Sequence, residues 1–175
     1  MTEAPASSRQ DPARIAVKCY GGKAALSWEN DESRAGDEFR VSVQGAPAVA
    51  PQKYDWGQKI VLQLTQAECL NVLAVLTGLR PRFEARAHGT ENDKSFAIEV
   101  QASGKFYGKV AQKDRGLFGV PIESADAVRV AGLICRQLVK NQPWLDANGL
   151  QNLLRGVMQA TQRAQIRPSE SVSAG

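Results

Sequence analysis

In the stretch FYGKVAQK, residues 106–113, Tyr107, Lys109, Ala111 and Lys113 recur at every second position and share one face of a strand. That face carries one aromatic ring and two cations. Two other stretches repeat the combination. In CYGGKAALSW, residues 19–28, Tyr20 and Lys23 flank two glycines, and in KYDWGQK, residues 53–59, Tyr54 and Trp56 precede Lys59. Arg86 adds a cation on a further strand, Phe83–Ala87. The chemistry such sets can perform is capture of a single-stranded nucleic acid, with unpaired bases stacked on aromatic faces and phosphates held by cations. Ten of the eleven aromatic residues lie between Tyr20 and Phe118, with only Trp144 outside. A bland explanation competes, because aromatics favour strands and most surface lysines are simply solvated. Alternation sorts the rings: Phe39, Phe83 and Phe96 fall on the apolar side of their strands, whereas Tyr20, Tyr54, Trp56 and Tyr107 stand next to glycine or lysine.

Catalysis finds less support. His88 is the only histidine, on the outward side at a strand end, and no serine or cysteine has a nucleophile's context. There is no P-loop, GxGxxG or paired-carboxylate motif, so the expectation is no enzyme, no catalytic residue, no cofactor and no metal. Cys19, Cys69 and Cys135 are odd in number and far apart, as reduced core cysteines are. An oligomeric scaffold that binds no nucleic acid is a third reading, and it leaves the Tyr107/Lys109/Lys113 face unexplained.

The totals are compatible with binding. The chain of 175 residues has a net charge of +4 and a pI near 9.1, which permits a polyanionic partner without requiring one. Hydrophobic residues at 43% and charged residues at 23% are globular values. No apolar run approaches the ~18–20 residues of a membrane span. MTEAPASSRQDPA has no apolar h-region, so residues 1–12 are expected to be a disordered arm, residues 164–175 a disordered tail, and the location cytosolic.

The elements that must position these residues are written twice. FRVSVQGA at 39–46 matches FAIEVQAS at 96–103 with an offset of 57, and LTQAE at 64–68 matches IESAD at 122–126 with an offset of 58. Each unit reads as four strands and a helix. Unit one, about 13–79, offers strands at Ile15–Tyr20, Lys23–Trp28, Phe39–Val43 and Lys59–Leu64, with Arg40, Ser42 and Gln44 facing outward. Its helix opens at a capping box formed by Thr65 and Glu68 and ends near Gly78. Unit two, about 80–142, offers Phe83–Ala87, Phe96–Val100, Phe106–Val110 and Leu117–Ile122, then a helix over Ala125–Lys140 capped by Ser124. Both helices are apolar over most of their circumference and so must be covered on more than one side. The fold class expected is α+β: duplicated β4α units forming two antiparallel four-stranded sheets with helices on their inner side, one domain over 13–163.

A third helix, about 146–163, carries one apolar stripe of Leu150, Leu153, Leu154, Val157 and Met158. It serves either the chain's own core or contact with another copy. In the second case Leu150, Leu153, Leu154 and Val157 are the oligomerisation residues.

YGGKAALS and, about thirty residues on, KYDWGQK resemble the KGKAAL and YDWG signatures of the Whirly family of single-stranded-DNA-binding proteins. The resemblance is tight over 20–76 and, over 83–142, rests mainly on the β4α pattern. Gly21 stands where the family's signature carries a lysine; Lys23 retains the other. The resemblance implies a homotetramer centred on helices, with single-stranded DNA along the sheets and across the edges between subunits, largely regardless of sequence. It associates the Lys23 position with the DNA surface and with assembly of tetramers into larger particles. It also implies roles in genome protection, DNA repair, recombination or transcription, in a nucleoid-associated setting. RNA remains the competing ligand, since stacking does not distinguish ribose from deoxyribose.

Overall fold

The protein's structure, a computed structural model, describes residues 13–166. The expected arm, 1–12, and residues 167–175 of the expected tail lie outside the described residues. Two antiparallel meanders and three helices make up the rest, an α+β architecture.

Sheet one contains β1 (Ala16–Tyr20), β2 (Ala24–Glu32), β3 (Phe39–Ala50), β4 (Lys53–Tyr54) and β5 (Ile60–Leu64). It has five strands rather than the expected four, because β3 runs on past Val43 to Ala50. Its first part pairs with β5, from Val41 opposite Leu64 to Gly45 opposite Ile60, and its overhang pairs with the two-residue β4, Ala48 opposite Tyr54. Sheet two is a four-stranded meander of β6 (Arg82–His88), β7 (Lys94–Val100), β8 (Phe106–Gln112) and β9 (Gly116–Ile122).

Helix α1 (Gln66–Leu76) follows β5 and has the expected capping box: Thr65 Oγ1 accepts from the Glu68 N–H, and Glu68 Oε2 accepts from the Thr65 N–H at 2.8 Å. Helix α2 (Ser124–Asn141) starts differently from expectation. Its cap is Glu123, not Ser124, and the Glu123 side chain caps nothing; it pairs instead with Lys105 at 2.7 Å. Nor is α2 apolar all round. Val130, Leu133, Ile134 and Leu138 are buried, whereas Val128 is 73% exposed. Helix α3 (Ala147–Ile166) continues three residues beyond the expected end at 163.

The inner faces of both sheets and all three helices share one core. Leu26, Trp28, Val41, Val43 and Leu62 of sheet one meet Phe96, Ile98, Val110 and Val120 of sheet two. The Trp28 and Phe96 rings meet edge to face, centroids 5.4 Å apart, a geometry that aromatic quadrupoles favour. Gly45 on β3 lets the sheets approach closely, since a Cβ there would collide with Val110 Cγ2. The helices cross between the units: α2 packs on β1, β2 and β3 of the first sheet, and α1 lies against β6 and β7 as well as β3 and β5.

The duplication itself needs one correction. Thr65 and Glu123, 58 residues apart, do occupy the same cap position. The other match pairs Phe39, on the third strand of its meander, with Phe96, on the second of its own. Apolar alternation has a period of two on every strand and so does not say which strand it belongs to.

Candidate nucleic-acid interface

The outer face of sheet one holds the aromatic pair. Tyr20 lies on the edge strand β1 and Tyr54 on β4, with β2 and β3 between them. The outward residues in that gap are Ala25 and Ala46, which face each other across the β2–β3 ladder. Such small side chains let the two rings meet above the sheet, centroids 5.4 Å apart and planes inclined by 30°. The Tyr54 hydroxyl donates to the Gly21 carbonyl at 2.8 Å, fixing its ring. Tyr20 remains 57% exposed, so one face of the stack is open to a third ring.

A second row runs beside the first. Lys18 Nζ lies 5.2 Å from the centre of the Trp56 ring, a cation–π contact that again bridges β2 and β3. Trp56 sits in a single 3₁₀ turn, Trp56–Gln58, held by Asp55, whose carboxylate accepts from the Gly57 N–H at 2.9 Å. Lys59 Nζ donates to Gln44 Oε1 at 2.8 Å. Ser27, Ser42 and Gln44 face away from the core, yet all are buried. The outer face of sheet one is therefore already roofed, by residues that reach across it. Lys23 is exposed at the tip of the β1–β2 turn.

Gly21 belongs to the seam between the sheets. A Cβ at this position would lie 3.0 Å from Val120 Cγ1 and 3.3 Å from Pro121 Cδ, both on β9. A side chain here would push the two sheets apart, which gives a steric reason for the missing lysine. A cleft of about 780 Å³ opens along this seam, lined by Tyr20, Gly21, Tyr54, Pro121 and the Ala48–Gln52 turn.

On sheet two, Tyr107, Lys109 and Ala111 do share the outer face. Tyr107 pairs with Pro121, which lines the cleft, so the row Tyr54–Tyr20–Pro121–Tyr107 crosses the seam. The phenol end of Tyr107 occupies the space over Gly119, where a Cβ would collide with it. Lys113 is exposed one residue past β8, at the hairpin turn. Arg86 is not a free cation. It pairs with Glu84 at 3.0 Å, and its hydrogen bond holds the Glu84 carboxyl below the ordinary carboxylate range.

His88 departs from expectation. It sits at a β-bulge in β6, and its ring is turned inward onto Glu68, Nε2 to Oε1 2.8 Å. It thereby ties sheet two to the cap of α1 instead of standing on the surface. Among the described residues no group of three or more His, Cys, Asp or Glu side chains could hold a metal ion. The three cysteines are free thiols. Burial pushes the Cys19 and Cys69 thiols up to about 12 and the half-buried Cys135 upward as well, the opposite of what a reactive thiolate needs.

No protein-family model and no curated protein matches the sequence. Solved structures do match the fold. The plant transcriptional regulator PBF-2 superimposes with a TM-score of 0.55 at 18% identity, covering 92% of each chain. WHY3 from Arabidopsis thaliana superimposes with a TM-score of 0.52 at 22% identity, over 85% of this chain and 96% of that one. WHY1 from the same plant gives 0.54 at 18% identity, over 75% and 92%. The fold is that of the Whirly proteins.

Within this Whirly fold the α3 stripe divides. Leu150 and Leu154, at 5% and 6% exposure, belong to the chain's own core. Leu153 and Val157, at 56% and 58%, face outward and border a groove of about 340 Å³ between α1 and α3, with Leu70, Leu138 and Met158. Of the residues expected at the binding face, Tyr20, Tyr54, Trp56 and Lys59 gather on sheet one, and Tyr107 and Lys109 continue that surface on sheet two. Lys23 and Lys113 stand at turn tips, and Arg86 is held in its pair. Lys18 was missed, although its place two residues before Tyr20 puts it on the same strand face.

Proposed function

We propose that the protein binds single-stranded DNA with little sequence preference, as a homo-oligomer. The observation that carries this reading is the Tyr20–Tyr54 stack, braced by the Tyr54–Gly21 hydrogen bond and left open on its Tyr20 side beside the Lys18–Trp56 pair. A fixed ring is a surface on which a base can stack without first losing rotamer freedom, and any base has a face to offer. Lys18, Lys23, Lys109 and Lys113 supply the phosphate charges, and the backbone path follows the seam cleft from Tyr20 towards Tyr107. A net charge of +4 per chain is modest, so the reading relies on several copies lining one strand. Leu153 and Val157, with the groove beside them, are the surface proposed for that assembly, a tetramer and, through Lys23, larger particles. Protection and repair of a genome, recombination or transcription control, in the cytoplasm at the nucleoid, are the roles that fit. No catalytic step is part of the reading.

Fluorescence anisotropy tests it, with matched single-stranded DNA, single-stranded RNA and duplex probes across a salt series. Tight single-strand binding that weakens with salt is expected. No binding at low salt overturns the reading, equal duplex binding reduces it to basic adhesion, and an RNA preference changes the ligand. Light scattering tests the assembly, and a monomer at micromolar concentration contradicts it.

A further inference from the structure

Strand β1 is an edge: it pairs with β2 on one side only. The Asn30 N–H donates to the Ile15 carbonyl at 3.2 Å and the Gly21 N–H to the Ala24 carbonyl at 2.8 Å. With Val17 opposite Trp28 and Cys19 opposite Leu26, the odd-numbered residues are the hydrogen-bonded positions of this ladder. The N–H and C=O groups of Ala16 and Lys18 therefore point away from β2. At the Tyr20 end the edge is closed by β9, which meets Gly21. From Ile15 to Lys18 it borders a groove of about 490 Å³ whose far wall is α2, through Arg129, Gly132, Leu133 and Arg136.

The groove has two further properties. Gly132 leaves it open, since a Cβ there would meet nothing within 4 Å. Its rim is basic. Among the described residues Arg136 makes no ion pair, and the carboxylate nearest Arg129, on Asp126, is 3.9 Å away. Glu29, the acid on the neighbouring strand β2, is already held by Arg14 at 2.7 Å. An open strand edge facing a helix accepts one kind of ligand well: an extended peptide that adds a strand and lays its side chains against the helix. A sugar–phosphate chain has no alternating N–H and C=O to complete the ladder.

We infer that the β1–α2 groove binds an extended acidic peptide segment of a partner protein, added as a strand on β1 with its carboxylates on Arg129 and Arg136. The backbone groups of Ala16 and Lys18 supply the ladder, the arginines the charge selection, and Leu133 the apolar floor. This site lies on the side of β1 away from the aromatic stack, so it does not depend on nucleic-acid binding.

The test uses the full chain and a fluorescein-labelled hexapeptide of alternating glutamate and valine, read by anisotropy at low salt. Saturable binding is expected, at least about tenfold weaker for the double variant Arg129→Glu/Arg136→Glu. The same peptide N-methylated at every residue keeps its charge and loses its ladder donors, and should not bind. Ala16→Pro removes an outward N–H at an edge position where proline is tolerated, and should weaken binding while circular dichroism stays unchanged. Any of four results overturns the proposal. They are no saturable binding, equal binding of the N-methylated peptide, a change of mass by light scattering in the arginine variant, and loss of single-stranded DNA binding in that variant. The third would make the groove a contact between copies and the fourth a phosphate track.

Discussion

Sheet one and sheet two have the same meander order and the same helix after the last long strand, yet they build their outer faces by different means. In sheet one, Tyr20 comes from β1 but its partners come from outside the long strands: Tyr54 and Trp56 lie in the excursion between β3 and β5, Tyr54 stacking on Tyr20 and Trp56 meeting Lys18. In sheet two the β8–β9 connection is a tight hairpin, Tyr107 comes from the strand itself, and it lies on a glycine. The first arrangement stacks rings and leaves one open; the second sets a single ring on a glycine among charges, several of them paired. The two sheets share one core and differ at their outer faces, because a strand's outward residues are free of the packing that constrains the inward ones.

The largest effect that tests this difference is removal of the stack. Tyr20→Ala/Tyr54→Ala should weaken single-stranded DNA binding by about a hundredfold, given roughly 1–3 kcal/mol per base–aromatic stack. Anisotropy measures it, and a loss no greater than that of the sheet-two variant would erase the ranking of the two faces. Tyr107→Ala should cost less, about five- to tenfold, because one ring on a mixed-charge face holds one base. No change at all would confine binding to sheet one.

The two helix caps sharpen the comparison through stability. Thr65→Ala should cost about 1 kcal/mol in urea unfolding, and Glu123→Ala close to nothing, since only Thr65 caps its helix. Equal losses would mean that the units are stabilised alike. The smallest effect is electrostatic. Lys109→Ala should reduce the slope of log affinity against log salt by about 0.7, the share of one phosphate contact on a single strand, whereas Arg86→Ala should leave it unchanged because Arg86 is already paired. A slope change for Arg86 would show that the ion pair opens on binding.

Much of this was readable along the chain. The Thr65–Glu68 capping box and the shared face of Tyr107 and Lys109 are local patterns, complete within a few residues. Lys18 was readable too, by the same alternation, but a lone lysine before a tyrosine carries little weight until Trp56 lies over it. The Phe39–Phe96 match misled because period-two alternation fits any strand. The α3 stripe was read as one surface, although its neighbours bury Leu150 and Leu154 and leave Leu153 and Val157 outside.

The sequence by itself determined the number and kind of long elements, the sorting of inward from outward residues wherever a strand runs without a bulge, and the start of α1. These depend on backbone geometry and spacing within a single element. Only the tertiary structure decided that Tyr54 meets Tyr20 across two strands, that His88 turns inward onto Glu68, and that Gly21 is the seam where β9 leaves no room for a side chain. Each of these contacts joins residues more than ten positions apart in the chain. Such contacts exist only once β2, β3 and β9 have packed around one core, so no local pattern could encode them.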